Sequence, residues 1–91
     1  RAQRERVEAA RARFSALTGR EREVLEHVLR GQLNKQIAAD LGIHERTVKL
    51  HRTSITAKLG VRSVAEMTRL TQEAGLLPDA SPAARGPAAL T

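Results

Sequence analysis

Residues 34–59 read NKQIAADLGIHERTVKLHRTSITAKL and contain the pattern that decides the fold. The first part of this stretch places its apolar residues on one helical face, and Gly42 follows as a residue that can end a helix in a left-handed conformation. From about residue 45 to residue 59 a longer basic pattern follows, in which apolar residues again fall on one side. A short helix, a glycine turn and a longer helix together predict a helix-turn-helix.

Two capping-box spacings mark further helix starts outside this stretch. Thr18 is followed three residues later by Glu21, and Ser63 by Glu66, so each pair can satisfy free amides in the first turn of a helix. We expect one helix after each pair, and Asn34 as the cap of the helix between them. Since no stretch alternates as a strand does, the predicted fold class is all-α, a four-helix bundle preceded by a linker helix.

The two ends of the chain differ in character from its middle. Residues 1–14 are charged and carry only a thin apolar stripe, which is typical of a linker helix, and the first residue is Arg1 rather than Met. We therefore expect a domain upstream of this helix. Residues 15–77 are expected to form the folded domain, and the unperiodic Ala, Pro, Ser and Gly of residues 78–91 predict a disordered tail.

The composition restricts the classes of partner. The chain has 91 residues, with 16 Lys and Arg against 10 Asp and Glu and a net charge of +6, which favours an anionic partner. It has no Cys, and its His residues lack the spacing of a helical zinc site, so neither a metal site nor a cofactor is predicted. Phe14 is the only aromatic residue, which argues against modules that stack single-stranded bases and favours double-stranded DNA.

Enzymes and membrane proteins fit this sequence poorly. The serines lack the glycines of a nucleophile elbow, and Glu21, Glu23 and Glu26 are expected on an exposed helix face without a cleft. No stretch approaches the roughly 18 consecutive apolar residues of a spanning helix, and residues 1–14 have too few large apolar side chains to bind a membrane surface. A cytoplasmic protein without catalytic activity or a membrane partner is expected.

The basic charge is concentrated around the helix-turn-helix. Between residues 35 and 62 the chain carries six cations against two anions. Four of the cations have no acid four residues away, unlike those of a helix held by its own ion pairs; the exceptions are Lys49, with Glu45, and Arg62, with Glu66. One arc of the second helix of the motif lies opposite its apolar side and is expected to face base edges in a major groove. This arc consists of Arg46, Lys49, Leu50, Thr53 and Thr56.

The start of the first helix of the motif is a predicted phosphate site. A cation in the first turn of a helix opposes the helix dipole, so a bound anion would explain Lys35 at this position. The alternative is that the Lys35 side chain extends into solvent, where it needs no partner. A phosphate on the free amides after Asn34, with Lys35 and Gln36 beside it, would offset that cost. Arg62, the last of the six cations, is also assigned to phosphate contacts.

A set of motifs occurs along the chain at a specific spacing: LTGREREVL at residues 17–25, then Gly31, NKQIA at 34–38, LGI at 41–43, RTVKLHR at 46–52 and KL at 58–59. Together they resemble the C-terminal DNA-binding domain of LuxR/FixJ-type transcription regulators over about residues 17–77. They are most similar to two-component response regulators of the FixJ branch. In that branch a helix such as residues 1–14 links a phosphorylated receiver to this output domain.

The resemblance implies roles for individual residues. The longer helix of the motif would read the major groove, and the last helix would pair two domains on a palindromic site, while the fragment alone is expected to be monomeric. On the last helix a strip of small residues, Val64, Thr68 and Thr71, is the candidate dimer face. Lys49, Leu50 and Thr53 match base-facing positions of the family. The positions near phosphates are matched by Asn34, Lys35, Thr47, Arg52 and Lys58.

Two alternatives keep the same fold. The chain could be an interaction module like the helix-turn-helix of sigma factors, which also contacts RNA polymerase, or the output domain of a ligand-sensing LuxR-type regulator. The sequence departs from the family at His44, where Ser or Thr is more common as a helix cap, and at Thr53, where the side chain is often longer or basic. The base preference of the family is therefore not transferred to this chain.

Overall fold

The computed structural model describes residues 2–76, which form five α-helices and contain no strand. They are α1 (Ala2–Ser15), α2 (Gly19–Leu29), α3 (Asn34–Leu41), α4 (Glu45–Leu59) and α5 (Val64–Glu73). The predicted all-α fold, with four bundle helices after a first helix, is confirmed. The tail predicted for residues 78–91 lies outside the described residues. Across residues 2–76 the longest apolar run in any helix falls short of what crossing a membrane requires.

Helix α4 lies at the centre of the bundle, where it packs against α1, α2 and α3, while α5 packs against α1 and α2. The side of α4 that faces the core carries Val48, Ile55 and Leu59, each with no exposed surface. Their spacing of seven and four residues keeps them on one face of the helix, as the sequence predicts. Burial of this face fixes α4 in the bundle and leaves its opposite face open.

Capping residues determine where the helices begin and end. The predicted capping box forms at α2: Thr18 Oγ1 accepts a hydrogen bond from the Glu21 amide at 3.1 Å, and Glu21 Oε1 accepts one from the Thr18 amide at 2.9 Å. Gly42 and Gly60 end α3 and α4 with φ values of 69° and 68°. Only a residue without a Cβ adopts this left-handed conformation at little cost, so the glycines turn the chain on both sides of α4.

Two helix starts differ in detail from the predictions. The cap of α3 is Leu33, not Asn34, and the Gln36 side chain reaches back to accept a hydrogen bond from the Leu33 amide at 2.9 Å. At α5, Ser63 Oγ accepts a hydrogen bond from the Glu66 amide, as predicted. The Glu66 carboxylate, however, accepts a hydrogen bond from the Arg62 amide and not from the Ser63 amide. The predicted helix starts nevertheless hold within one residue.

Helix α1 is part of the folded unit along its C-terminal half. Ala10 and Phe14 are buried and Val7 is half-buried, so the thin apolar stripe of the sequence is the face that packs. This face contacts α4 and α5. Leu17, in the turn after α1, is buried as well. The predicted linker helix is therefore also a fifth packing element of the bundle.

Candidate nucleic-acid interface

The open face of α4 carries the side chains that were predicted to face bases. Leu50 is 65% exposed, a large fraction for a leucine, while Val48 and Ile55 on the opposite face are fully buried. Of the five residues of the predicted arc, only Thr56 is half-buried. The four exposed ones, which we call the open face of α4, are Arg46, Lys49, Leu50 and Thr53.

Two threonine hydroxyls on this side of α4 are bonded within the helix. Thr53 Oγ1 donates to the Lys49 carbonyl at 3.1 Å, and Thr56 Oγ1 donates to the Thr53 carbonyl at 2.9 Å. A hydroxyl has one proton and two lone pairs, so each keeps the capacity to accept a hydrogen bond. The longer, unpaired donors of the open face are those of Arg46 and Lys49, for which the described residues provide no ion pair.

The start of α3 lies beside α4 and carries unneutralised positive charge. Arg52 Nη1 donates to Asn34 Oδ1 at 3.0 Å, which ties the first residue of α3 to the middle of α4. Lys35 is exposed, and the first turn of α3 contains no acidic residue. Within residues 2–76, no ion pair compensates Lys35 or the positive end of the helix dipole. This helix start therefore has the charge of an anion site.

The remaining predicted phosphate contacts have different surroundings. Thr47 is half-buried and Arg62 is exposed. Lys58 is held by an internal partner, because its Nζ lies 2.8 Å from Glu21 Oε1. The placement of Lys58 near a phosphate stays a prediction, in which Lys58 would have to give up or share this ion pair.

Glu21 is a buried anion that anchors α4, and the expectation that it lies on an exposed helix face is wrong. Its side chain accepts hydrogen bonds from Lys58 Nζ at 2.8 Å, from Ser54 Oγ at 2.6 Å and from the Thr18 amide at 2.9 Å. The hydrogen bond from Lys58, followed by those from Ser54 and Thr18, lowers the pKa of Glu21 from 4.5 to about 2. One carboxylate thereby connects the start of α2 to the C-terminal half of α4.

The turn between α2 and α3 is fixed by a second polar cluster that the sequence did not indicate. His27 Nδ1 pairs with Gln32 Oε1, and Gln32 Nε2 donates to Asp40 Oδ2 at 3.0 Å. His27 belongs to α2 and Asp40 to α3, so the cluster holds these two helices together. The sequence does not indicate this cluster, because Gln32 is five positions from His27 and eight from Asp40, and these separations follow no helical spacing.

The candidate dimer face on α5 is smaller than predicted. Val64 is 41% exposed, and Thr68 is half-buried with its hydroxyl donating to the Val64 carbonyl at 2.9 Å. Thr71 is only 2% exposed and donates to the Met67 carbonyl at 2.7 Å, so its assignment to an exposed strip is corrected. Residues 67 and 71 are one helical turn apart and share the buried face of α5.

Known proteins share this arrangement. Residues 15–71 match the family of bacterial regulatory proteins called the luxR family. The response regulator protein TodT of Pseudomonas putida (strain F1) is 45% identical over 67 residues, which cover 74% of this chain and 30% of TodT. The structure of the response regulator StyR has a TM-score of 0.75 at 50% identity, covering 77% of this chain and 35% of StyR. The structure of full-length FixJ from B. japonicum has a TM-score of 0.77 at 33% identity, and the match covers 84% of this chain and 37% of FixJ.

The chain spans about a third of the length of these relatives. The matched residues 15–71 include α2, α3 and α4 entirely, and with them the helix-turn-helix, its glycine turn and the open face of α4. The chain thus belongs to the luxR family of bacterial regulatory proteins, and residues 15–71 are its helix-turn-helix DNA-binding domain.

Proposed function

We propose that residues 15–76 bind duplex DNA sequence-specifically as the output domain of a transcription regulator, with α4 in the major groove. The observation that carries this proposal is the open face of α4, where two cations, a leucine and a threonine are exposed opposite a fully buried face. The major groove is wide enough to admit an α-helix and presents a distinct pattern of groups at each base pair. A net charge of +6 favours the encounter with DNA.

The chemistry of the open face suggests a division of roles. Lys49 and Arg46 can donate to the O6 and N7 acceptors of guanine, and Leu50 offers apolar surface to a thymine methyl group. The start of α3 supplies free amides and Lys35 to a phosphate, while Asn34 and Arg52 hold that start against α4. Thr47 and Arg62 are the further candidates for phosphate contacts.

Selection of bound duplexes from a random pool tests this function. If two copies bind together, the selected sites should be palindromic, with half-sites about one helical turn apart and guanine and thymine at fixed positions. Recovery of a pool without any preferred sequence, at a salt concentration that suppresses non-specific binding, would contradict the proposal.

Lys35→Ala is expected to weaken binding to selected and scrambled duplexes by the same factor. A residue that neutralises one phosphate contributes about 0.9 to the slope of log affinity against log salt, so the variant's slope should fall by about that amount. Titrations at several salt concentrations measure it. Arg6→Ala, which removes the same charge from an exposed position of α1, is the control and should retain the wild-type slope. An unchanged slope in Lys35→Ala would exclude the phosphate contact.

Leu50→Ala is expected to abolish the discrimination between thymine and uracil at one position of the selected site. Uracil lacks the 5-methyl group, and a buried methyl group contributes about 0.8 kcal/mol, so the wild-type chain should lose about fourfold in affinity on this exchange. The variant should bind both duplexes equally. Leu33→Ala is the matched control, because Leu33 is 68% exposed but lies outside α4; a Leu33 variant that lost the discrimination would contradict the assignment.

We also propose that the whole protein is a two-component response regulator that binds DNA as a dimer. The support is the similarity to TodT and StyR, both of which are response regulators. Val64 and Thr68 remain the candidate residues of α5 for the contact between two copies, since they keep exposed surface on that helix. Two chains per selected palindromic duplex, measured by analytical ultracentrifugation, are the expected stoichiometry.

A further inference from the structure

Two arginines of α1 bind the C-terminal ends of two other helices. Arg13 Nη1 donates to the Leu59 carbonyl at 3.0 Å, and Arg11 Nε donates to the Ala74 carbonyl at 2.8 Å. Leu59 is the last residue of α4, and Ala74 is the C-terminal cap of α5. Carbonyls at helix ends have no partner within their own helix, and the negative end of the helix dipole favours a cation there.

Both guanidinium groups lie next to a left-handed glycine that ends the helix. A Cβ placed on Gly60 would lie 3.7 Å from Arg13 Nη1, and one placed on Gly75 would lie 3.4 Å from Arg11 Nη2. The φ values of these glycines are 68° and 71°. The same arrangement, an arginine of α1 against a glycine that follows a helix, therefore occurs at α4 and at α5. Its repetition shows that α1 contacts these two helices in the same manner.

We propose that Arg13 is a positioning residue for DNA recognition, which holds the C-terminal end of α4 so that its open face meets the groove at the correct angle. This inference rests on the proposed function. With Arg11 holding α5 in the same way, the placement of α1 fixes α4 relative to α5. Two domains on one palindromic site have to present both α4 helices at a fixed separation, so this relative placement affects specific binding.

The packing of α1 separates this role from simple stabilisation. Ala10 and Phe14, which flank the two arginines in the sequence, are buried, so apolar contacts already hold α1 on the bundle. Arg11 and Arg13 are themselves exposed residues, so water can take the place of a lost donor at the carbonyl. We therefore expect a chain without the Arg13 guanidinium to remain folded while its α4 loses a directional constraint.

The test compares Arg13→Met with Arg6→Met. Methionine keeps an unbranched apolar stem but has no donor, and Arg6 is an exposed residue of the same helix, so both variants lose one positive charge from α1. Affinity is measured for a duplex selected by the wild-type chain and for a scrambled duplex, at several salt concentrations. Far-UV circular dichroism at low temperature establishes that each variant is folded.

Arg13→Met is expected to bind the selected duplex about threefold to tenfold more weakly than Arg6→Met, with the same slope of log affinity against log salt as the wild-type chain. Arg13→Lys, which keeps a cationic donor, should recover part of the loss. Equal affinities of Arg13→Met and Arg6→Met would overturn the proposal. A slope lowered by about 0.9 would also overturn it, because it would show a direct phosphate contact.

Three outcomes separate stabilisation, the proposed function and the positioning role. If Arg13→Met and Arg13→Lys were both unfolded at low temperature, the contact would be purely stabilising and the positioning role would be wrong. If the wild-type chain selected no duplex at all, the proposed DNA-binding function would fail, and the role of Arg13 with it. Selection by the wild-type chain together with unchanged binding by Arg13→Met would contradict the positioning role alone.

Discussion

Glu21→Gln is expected to lower the free energy of unfolding by about 1.5 to 3 kcal/mol at neutral pH, since hydrogen bonds to a charged group contribute in that range. The glutamine has the same shape but cannot pair with Lys58 as an anion, and it presents only one oxygen to the three donors now bound by the carboxylate. The site is buried, so solvent compensates little of the loss. Urea unfolding of both chains at neutral pH measures the difference.

The same substitution should remove a specific dependence of stability on pH. The folded state holds the pKa of Glu21 at about 2 instead of 4.5, so the folded state binds this proton less readily than the unfolded chain does. The stabilisation is therefore complete above pH 4.5 and is lost as the pH falls from 4.5 towards 2. The stabilities of the wild-type chain and Glu21→Gln should converge over this interval.

Glu23→Gln is the matched control for these measurements. Glu23 lies on the same helix and pairs with Arg20 at 3.0 Å, but both side chains are largely exposed. Exposed pairs of this kind contribute about 0.2 to 1 kcal/mol, so the control should have a smaller effect on the free energy of unfolding. If the Glu21 and Glu23 variants lost the same stability, the anchoring role of Glu21 would be wrong.

Lys49→Ala is expected to reduce affinity for the selected duplex by at least about fivefold and to relax the sequence preference at one base pair. A good side-chain contact to a base edge contributes about 1 to 3 kcal/mol of discrimination, which corresponds to about fivefold to 150-fold. Lys49 is exposed on the open face of α4 and lies outside the core, so its removal should leave the fold unchanged. Repeating the selection with the variant identifies the base pair concerned.

The contrast with Lys35→Ala makes the prediction for Lys49 specific. Both substitutions remove one positive charge from an exposed lysine, one on α4 and one on α3. Loss of a phosphate contact weakens all duplexes alike, whereas loss of a base contact weakens the selected duplex more than a scrambled one. If both variants lost affinity by equal factors on every duplex, the assignment of Lys49 to a base would be incorrect.

The sequence predicted those features that depend on residues close together in the chain. The apolar spacing of Val48, Ile55 and Leu59, followed by Gly60, was sufficient to place α4 at residues 45–59. The capping box at Thr18 was predicted for the same reason, since its two partners are three residues apart. A helix that packs by one face exposes the other, so the same pattern also predicts which residues form the open face of α4.

The contacts that the sequence did not predict join side chains to partners on other helices. Lys58 pairs with Glu21, 37 positions away, and Arg13 donates to a carbonyl 46 positions away. Patterns within a single helix contain no information about contacts between residues so far apart in the chain. The strip of small residues predicts Thr71 on the candidate dimer face, but Thr71 is buried. Its hydroxyl donates to the carbonyl one turn earlier, which removes the cost of burying that polar group.

The most direct test of the central claim is an NMR titration of the isotopically labelled chain with a selected duplex. If the open face of α4 enters the major groove, the largest changes in amide and side-chain signals should occur at Arg46, Lys49, Leu50 and Thr53, with a second group at the start of α3. Signals of residues on the outer side of α1 should change little. Changes concentrated on α1 or α5, with the signals of Lys49 and Thr53 unaffected by saturating duplex, would contradict the account.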